Sequence, residues 1–161
     1  MSESIVSNTG PLITLEKLPD GYAFIRKLYR KLLVPPEVAQ EVSQPVGSVE
    51  RYLQQYQVAD LFEISRVNGI AAIPEIDRLD AGEIMAISLA VERQSELLIE
   101  EINGRRIASA AGIAVSGIAG QIGRACRNGL IDKQEAEDKL RILFVRGRIN
   151  REVYRLVVEM L

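Results

Sequence analysis

Histidine is absent from the 161 residues of this chain, and cysteine occurs once, at Cys126. Without histidine there is no His-based triad, no His-containing zinc site and no imidazole acid–base chemistry. One cysteine excludes an internal disulfide and a Cys-only zinc site within the chain, and suits a small core residue in a reducing, cytoplasmic setting. No apolar run approaches the ~18–20 residues needed to cross a bilayer. The N-terminus lacks the basic-then-apolar plan of a signal peptide. No Gly-rich phosphate loop follows Val6, which disfavours a small-molecule enzyme on a nucleotide-binding sheet. Repeats, low-complexity tracts and interdomain linkers are missing too. Carboxylates and hard metal ions remain as tools for hydrolysis.

A chain of this length makes about one domain and buries roughly two-thirds of its unfolded surface, so it needs no staples. Its charge is unevenly spread. Residues 1–101 hold nine Lys/Arg against sixteen Asp/Glu; residues 102–161 hold eleven against six. Acids for a metal beside bases for phosphates suit a phosphodiester substrate. Helical surfaces with scattered charge give the same numbers.

Ile5-Val6 reads as a short buried strand. Asn8-Thr9-Gly10-Pro11 then turns into a helix reaching Leu18, Gly allowing unusual dihedrals and Pro favouring the helix start. Apolar spacing and caps predict further helices over 22–30, after Pro35-Pro36, over 48–56, 79–93 and 103–111, then to Arg127, from Asp132 to about Val145, and over 150–160. Leu32-Leu33-Val34, Leu97-Leu98-Ile99 and Ile113-Ala114-Val115 are continuous apolar runs of the kind found in buried parallel strands; 61–65 reads as a strand or extended edge. This alternation predicts a single α/β domain over 1–161. Its mainly parallel central sheet has helices on both faces, three layers in all, and the helices from about 132 pack on it.

Ligands bind at the carboxyl ends of strands in open α/β sheets. Asn8 follows the first strand, and Glu100 and Glu101 follow Leu97-Leu98-Ile99. Glu41 lies one and a half turns into its helix, and Glu83 in the first turn of the helix opened by Asp80-Ala81-Gly82. If those helices pack beside the rim, the acids form a site for Mg²⁺ or Mn²⁺, where metal activates water and stabilises charge on a phosphate. Ordinary readings stand beside this one. Asp80 and Glu83 match a capping box. Glu41 suits a solvated helix face, Glu100 and Glu101 a polar strand exit, and Arg105 and Arg106 a surface or partners for these acids.

Four segments occur in one order: Ser7-Asn8-Thr9-Gly10-Pro11-Leu12-Ile13, Val34-Pro35-Pro36-Glu37-Val38-Ala39-Gln40-Glu41-Val42, Leu79-Asp80-Ala81-Gly82-Glu83, and Leu97-Leu98-Ile99-Glu100-Glu101 with Gly104-Arg105-Arg106. Together they resemble a PIN-like domain of the nucleic-acid-binding branch related to VapC-type toxin ribonucleases, from about Ile5 to the C-terminus. The resemblance implies an α/β/α fold and Mg²⁺/Mn²⁺-dependent RNA cleavage. It also implies a small antitoxin as partner and a homodimer. By motif, the family's strand-end Asp, helix Glu, acid opening the central helix and second strand-end Asp fall on Asn8, Glu41, Glu83 and Glu101. Glu101 is preferred to Glu100 because it stands two residues beyond the strand core. Thr9, Arg105, Arg106 and Ser116 are expected at the RNA, with Arg124 and Arg127 extending that surface. Three departures stand out. Asn8 is neutral, Glu83 and Glu101 are a methylene longer than Asp, and Ser116 offers a hydroxyl where some relatives carry a further ligand. One fewer anionic ligand weakens metal binding.

The sequence therefore predicts a metal-dependent ribonuclease of PIN-like type, with a toxin role among its uses. The alternative is a catalytically weak or inactive module that binds RNA or a partner protein. No membrane partner is expected. Ala23, Phe24, Leu28, Tyr52 and Tyr56 are candidates for a dimer interface, and core packing explains them equally well.

Overall fold

The computed structural model describes every residue, Met1–Leu161. Strands β1 (Ser2–Ser7), β2 (Tyr29–Val34), β3 (Phe62–Ile64), β4 (Leu97–Leu98) and β5 (Val115–Ser116) form one parallel sheet in the order β3-β2-β1-β4-β5. Ile5, Val6, Leu32, Val34, Leu97 and Leu98 have no exposed surface, as strands covered on both faces require. The helices are α1 (Thr9–Glu16), α2 (Gly21–Ile25), α3 (Pro36–Ser43), α4 (Val49–Gln55), α5 (Ala81–Arg93), α6 (Ile102–Ala110), α7 (Ile118–Arg127), α8 (Lys133–Val145) and α9 (Arg151–Glu159). None is long and apolar enough to cross a membrane.

The chain steps outward from β1 to β2 and β3, then returns across the sheet to β4 and β5. Right-handed crossovers therefore set helices on both faces. The direction of winding reverses between β1 and β4, and the crevice at such a switch point is where open α/β sheets bind ligands. Helix α5 packs on β1, β4 and α3; α7 packs on α1, and α8 and α9 on α7.

The second helix is shorter than its apolar spacing predicts. It stops at Ile25, residues 26–28 turn, and Tyr29 opens β2 opposite Ser2 of β1. Leu28 and Arg30 therefore leave from a turn and a strand rather than from helix faces. Pairing along the whole of β1 outweighs a helical pattern too short to hold on its own. Three of the five dimer candidates are core residues: Phe24, Leu28 and Tyr52 are buried within the chain itself. The Tyr52 hydroxyl donates to Glu16 Oε2 (2.6 Å) and shares a 2.6 Å hydrogen bond with Tyr22. Burial pushes both phenols above their ordinary range.

A buried cation fixes α8. Lys139, 5% exposed, pairs with Asp20 (2.6 Å) and Glu135 (3.6 Å) and lies 5.4 Å from the Phe24 ring centre. Asp20→Ala leaves the ammonium inside with one distant partner. The expected cost is about 2 kcal/mol, read as a lower urea midpoint. Lys139→Met removes the buried charge and leaves Asp20 half in water, so it is expected to cost less.

Candidate functional site

Asn8 closes β1 and precedes the first residue of α1. Its N–H donates to the Leu98 carbonyl (2.9 Å), which joins the ends of β1 and β4 at the switch point. Asn8 is 4% exposed, and its carboxamide takes no capping bond. Across the crevice, Ile99 leads out of β4 to Glu100 and Glu101, and α6 begins at Ile102.

Glu83, 7% exposed, lies in the first turn of α5. The expected capping box is present: Glu83 Oε2 accepts from the Asp80 N–H (3.1 Å) and Asp80 Oδ1 from the Glu83 N–H (2.8 Å). The box uses one carboxylate oxygen. The other, Oε1, lies 3.3 Å from where a Cβ would stand on Gly104 of α6, and Glu41 Oε2 lies 3.3 Å from the same point on Gly82 of α5. Bare backbone at 82 and 104 thus lets acids of α3 and α5 close on their neighbours.

Burial raises the Glu83 carboxyl above its usual value; the negative charges of Asp80, Glu101 and Glu41 add to this, and the bond from the Asp80 N–H opposes it. No ion pair in the structure includes Glu41, Asp80, Glu83 or Glu101. Four acids from α3, α5 and the edge of α6 therefore share one region with no cation to balance them. The α6 guanidinia are engaged elsewhere. Arg105 donates to the Ile99 carbonyl (3.3 Å), and half-exposed Arg106 pairs with Glu75 (3.2 Å), which also holds Arg78 (3.0 Å).

Glu100 has the opposite fate to Glu101. Its Oε1 accepts from Thr14 Oγ1 (2.6 Å) and lies 3.7 Å from Arg148; its Oε2 accepts from the Ile118 N–H (3.1 Å). Successive side chains on an extended exit leave on opposite sides. One acid is satisfied beside α1 and α7, and the next joins Glu83. A family model described as PIN domain matches residues 4–161, nearly the whole chain. The chain belongs to the PIN domain family. No curated protein matches it. A PIN domain has a nuclease-like fold with a nucleic-acid-related role, and the carboxyl rim of this one carries the acids just described.

The remaining expected residues of this PIN domain divide. Thr9 is buried beside Asn8, with its hydroxyl unpartnered. Ser116 ends β5, beyond β4, and donates to its neighbour's carbonyl, Gly117 O (3.1 Å). Arg124 and Arg127 do not extend a basic surface beside the acids. Helix α7 runs away from the carboxyl rim, and its last turn carries both. Arg124 there binds the Tyr29 hydroxyl (3.1 Å) and Glu96 (3.0 Å), where β2 and β4 begin. Sequence reasoning treated Asp80 only as a cap and missed Thr14 and Arg148. No spacing signal could have found Arg148, which reaches its partner across 134 residues.

The acids suit a divalent cation in chemistry and in charge. Carboxylate oxygens are the hard donors that Mg²⁺ and Mn²⁺ take, and the cluster has no other counter-charge. As placed, no three of them are drawn around one point. Glu83 is the buried member of the set; Glu41 and Glu101 are exposed and unpaired.

Proposed function

We propose that this PIN domain is a divalent-cation-dependent ribonuclease, with Glu41, Glu83 and Glu101 holding the cation and Asn8 beside them. The observation that carries the reading is the unbalanced acid cluster at the switch point, with Glu83 buried in its midst. Mg²⁺ or Mn²⁺, when bound, supplies charge stabilisation at the phosphate and activation of water. The chain's own groups do the rest. Glu83 is held by its capping box with Oε1 free. Asn8 offers a neutral carboxamide, able to accept from a water or donate to a phosphate oxygen, and the Thr9 hydroxyl beside it has no internal partner to give up. Arg106 can exchange Glu75 for an RNA phosphate at small cost, because a surface ion pair contributes little. Arg105 steadies the β4 exit through the Ile99 carbonyl.

A second reading, an RNA-binding module without catalysis, is favoured by the neutral Asn8 and by the spread of the carboxylates. Mn²⁺ titration by calorimetry, paired with incubation of a mixed-sequence RNA, separates the two. The nuclease reading expects wild type to bind Mn²⁺ and cleave. It expects Glu101→Gln to bind about tenfold more weakly. RNA binding with neither Mn²⁺ uptake nor cleavage would establish the module instead.

A further inference from the structure

Helix α8 ends in a Schellman motif. Gly147 adopts φ +74°, its N–H bonds to the Phe144 carbonyl (3.1 Å), and the Arg148 N–H bonds back to Leu143 (2.8 Å). The motif fixes where the Arg148 backbone stands, and its side chain points to the carboxyl rim. Arg148 Nε donates to Thr14 Oγ1 (3.0 Å), and Nη2 donates to the Gly10 carbonyl (3.2 Å) and pairs with Glu100 Oε1 (3.7 Å). Thr14 closes the ring by donating to the same Glu100 oxygen, while Ile118 at the start of α7 holds the other. Gly10 lies two residues after Asn8, and Glu100 immediately before Glu101.

We propose that Arg148 is a positioning residue for the candidate site: from the α8–α9 turn it ties the first turn of α1 to the β4 exit, and so sets the separation of Asn8–Thr9 from Glu101. The inference rests on the proposed site for its consequence, and on the hydrogen-bond ring for its mechanism. Arg148 touches none of Glu41, Glu83 or Glu101 and acts only through Gly10, Thr14 and Glu100. A guanidinium spreads its donors over a rigid plane and reaches Thr14, Gly10 and Glu100 from two nitrogens, whereas an ammonium gathers all its donors on one atom.

The test compares Arg148→Met and Arg148→Lys with Arg151→Met, an exposed base at the start of α9. Amide hydrogen exchange is followed over residues 8–14, 99–105 and, as an internal reference, 29–34. In Arg148→Met, exchange is expected to be about tenfold faster in the first two segments and unchanged in the third. Mn²⁺ binding should weaken about tenfold, as for other residues that orient ligands indirectly. The kcat for RNA should fall with KM within about twofold. Arg148→Lys should lie between, and Arg151→Met should match wild type. Unchanged exchange at the two rim segments, or faster exchange spread equally into 29–34, overturns the proposal. Wild type that takes up no Mn²⁺ defeats the metal site alone, and the exchange pattern then decides the role of Arg148.

Discussion

Glu83→Gln is expected to lose at least about a hundredfold of Mn²⁺-dependent RNA cleavage and yet to melt about 2–4 °C above wild type at neutral pH, equivalent to roughly 1 kcal/mol. The two effects have one cause. Glu83 is buried among Asp80, Glu101 and Glu41, and its carboxyl is raised above the ordinary value, so ionising it costs the folded chain more than the unfolded one. For a raised acid, the stabilising contribution is complete below the unfolded pKa and is lost as pH rises through the folded pKa. Glutamine carries no charge at any pH and can still accept from the Asp80 N–H, so the capping box survives. The advantage of the variant should therefore be present at pH 7.5 and vanish near pH 4, where wild-type Glu83 is protonated. Added Mn²⁺ should reverse the order, because a ligand bound only by the folded state stabilises it by mass action, and the variant has lost that ligand's buried anchor. Melting curves at both pH values, with and without Mn²⁺, provide the check. Equal cleavage by the two proteins would falsify the assignment of Glu83.

Asn8→Asp should move metal affinity the other way, tightening Mn²⁺ binding by about tenfold, since ligand charge tunes such sites. Cleavage should rise with it. Without metal the same change should lower stability by about 1 kcal/mol or more. It places another negative charge at a 4% exposed position next to the β4 exit, where the nearby bases, Arg105 and Arg148, are already engaged by the Ile99 and Gly10 carbonyls and by Glu100. Calorimetry gives the first effect and metal-free melting the second. If affinity stays flat while stability falls, the Asn8 side chain does not face the cation, and the set reduces to Glu41, Glu83 and Glu101.

Much of the fold was legible because its signals are local. Continuous apolar runs marked β1, β2 and β4, whereas the run 113–115 meets its strand only at Val115, since β5 is Val115–Ser116. Ser48, Asp132 and Asn150 cap the helices they were expected to open, accepting from the N–H groups of Arg51, Glu135 and Val153. The failure over 22–30 came where a local helical pattern met a long-range pairing, Tyr29 against Ser2. At the site, the order of motifs pointed to Glu41, Glu83 and Glu101, and distance from the strand core favoured Glu101 over Glu100, but the physical contrast between those two lay beyond spacing. It is made by Thr14, Ile118 and Arg148, from three distant parts of the chain. Arg124 and Arg127 were misplaced for a geometric reason: α7 carries them about 10–15 Å along its axis, away from the rim where it starts.

The parallel winding also sets when the candidate site, Asn8 with its three glutamates, can exist. Asn8 comes after β1, Glu41 after β2, Glu83 after β3 and Glu101 after β4. Each successive strand delivers one member, and neighbours at the switch point, β1 and β4, are separated by some ninety residues of chain. A nascent polypeptide still short of Glu101 holds at most three of the four. The proposed nuclease is thus silent throughout most of its own synthesis, and its chemistry first becomes available when the fourth strand docks against the first.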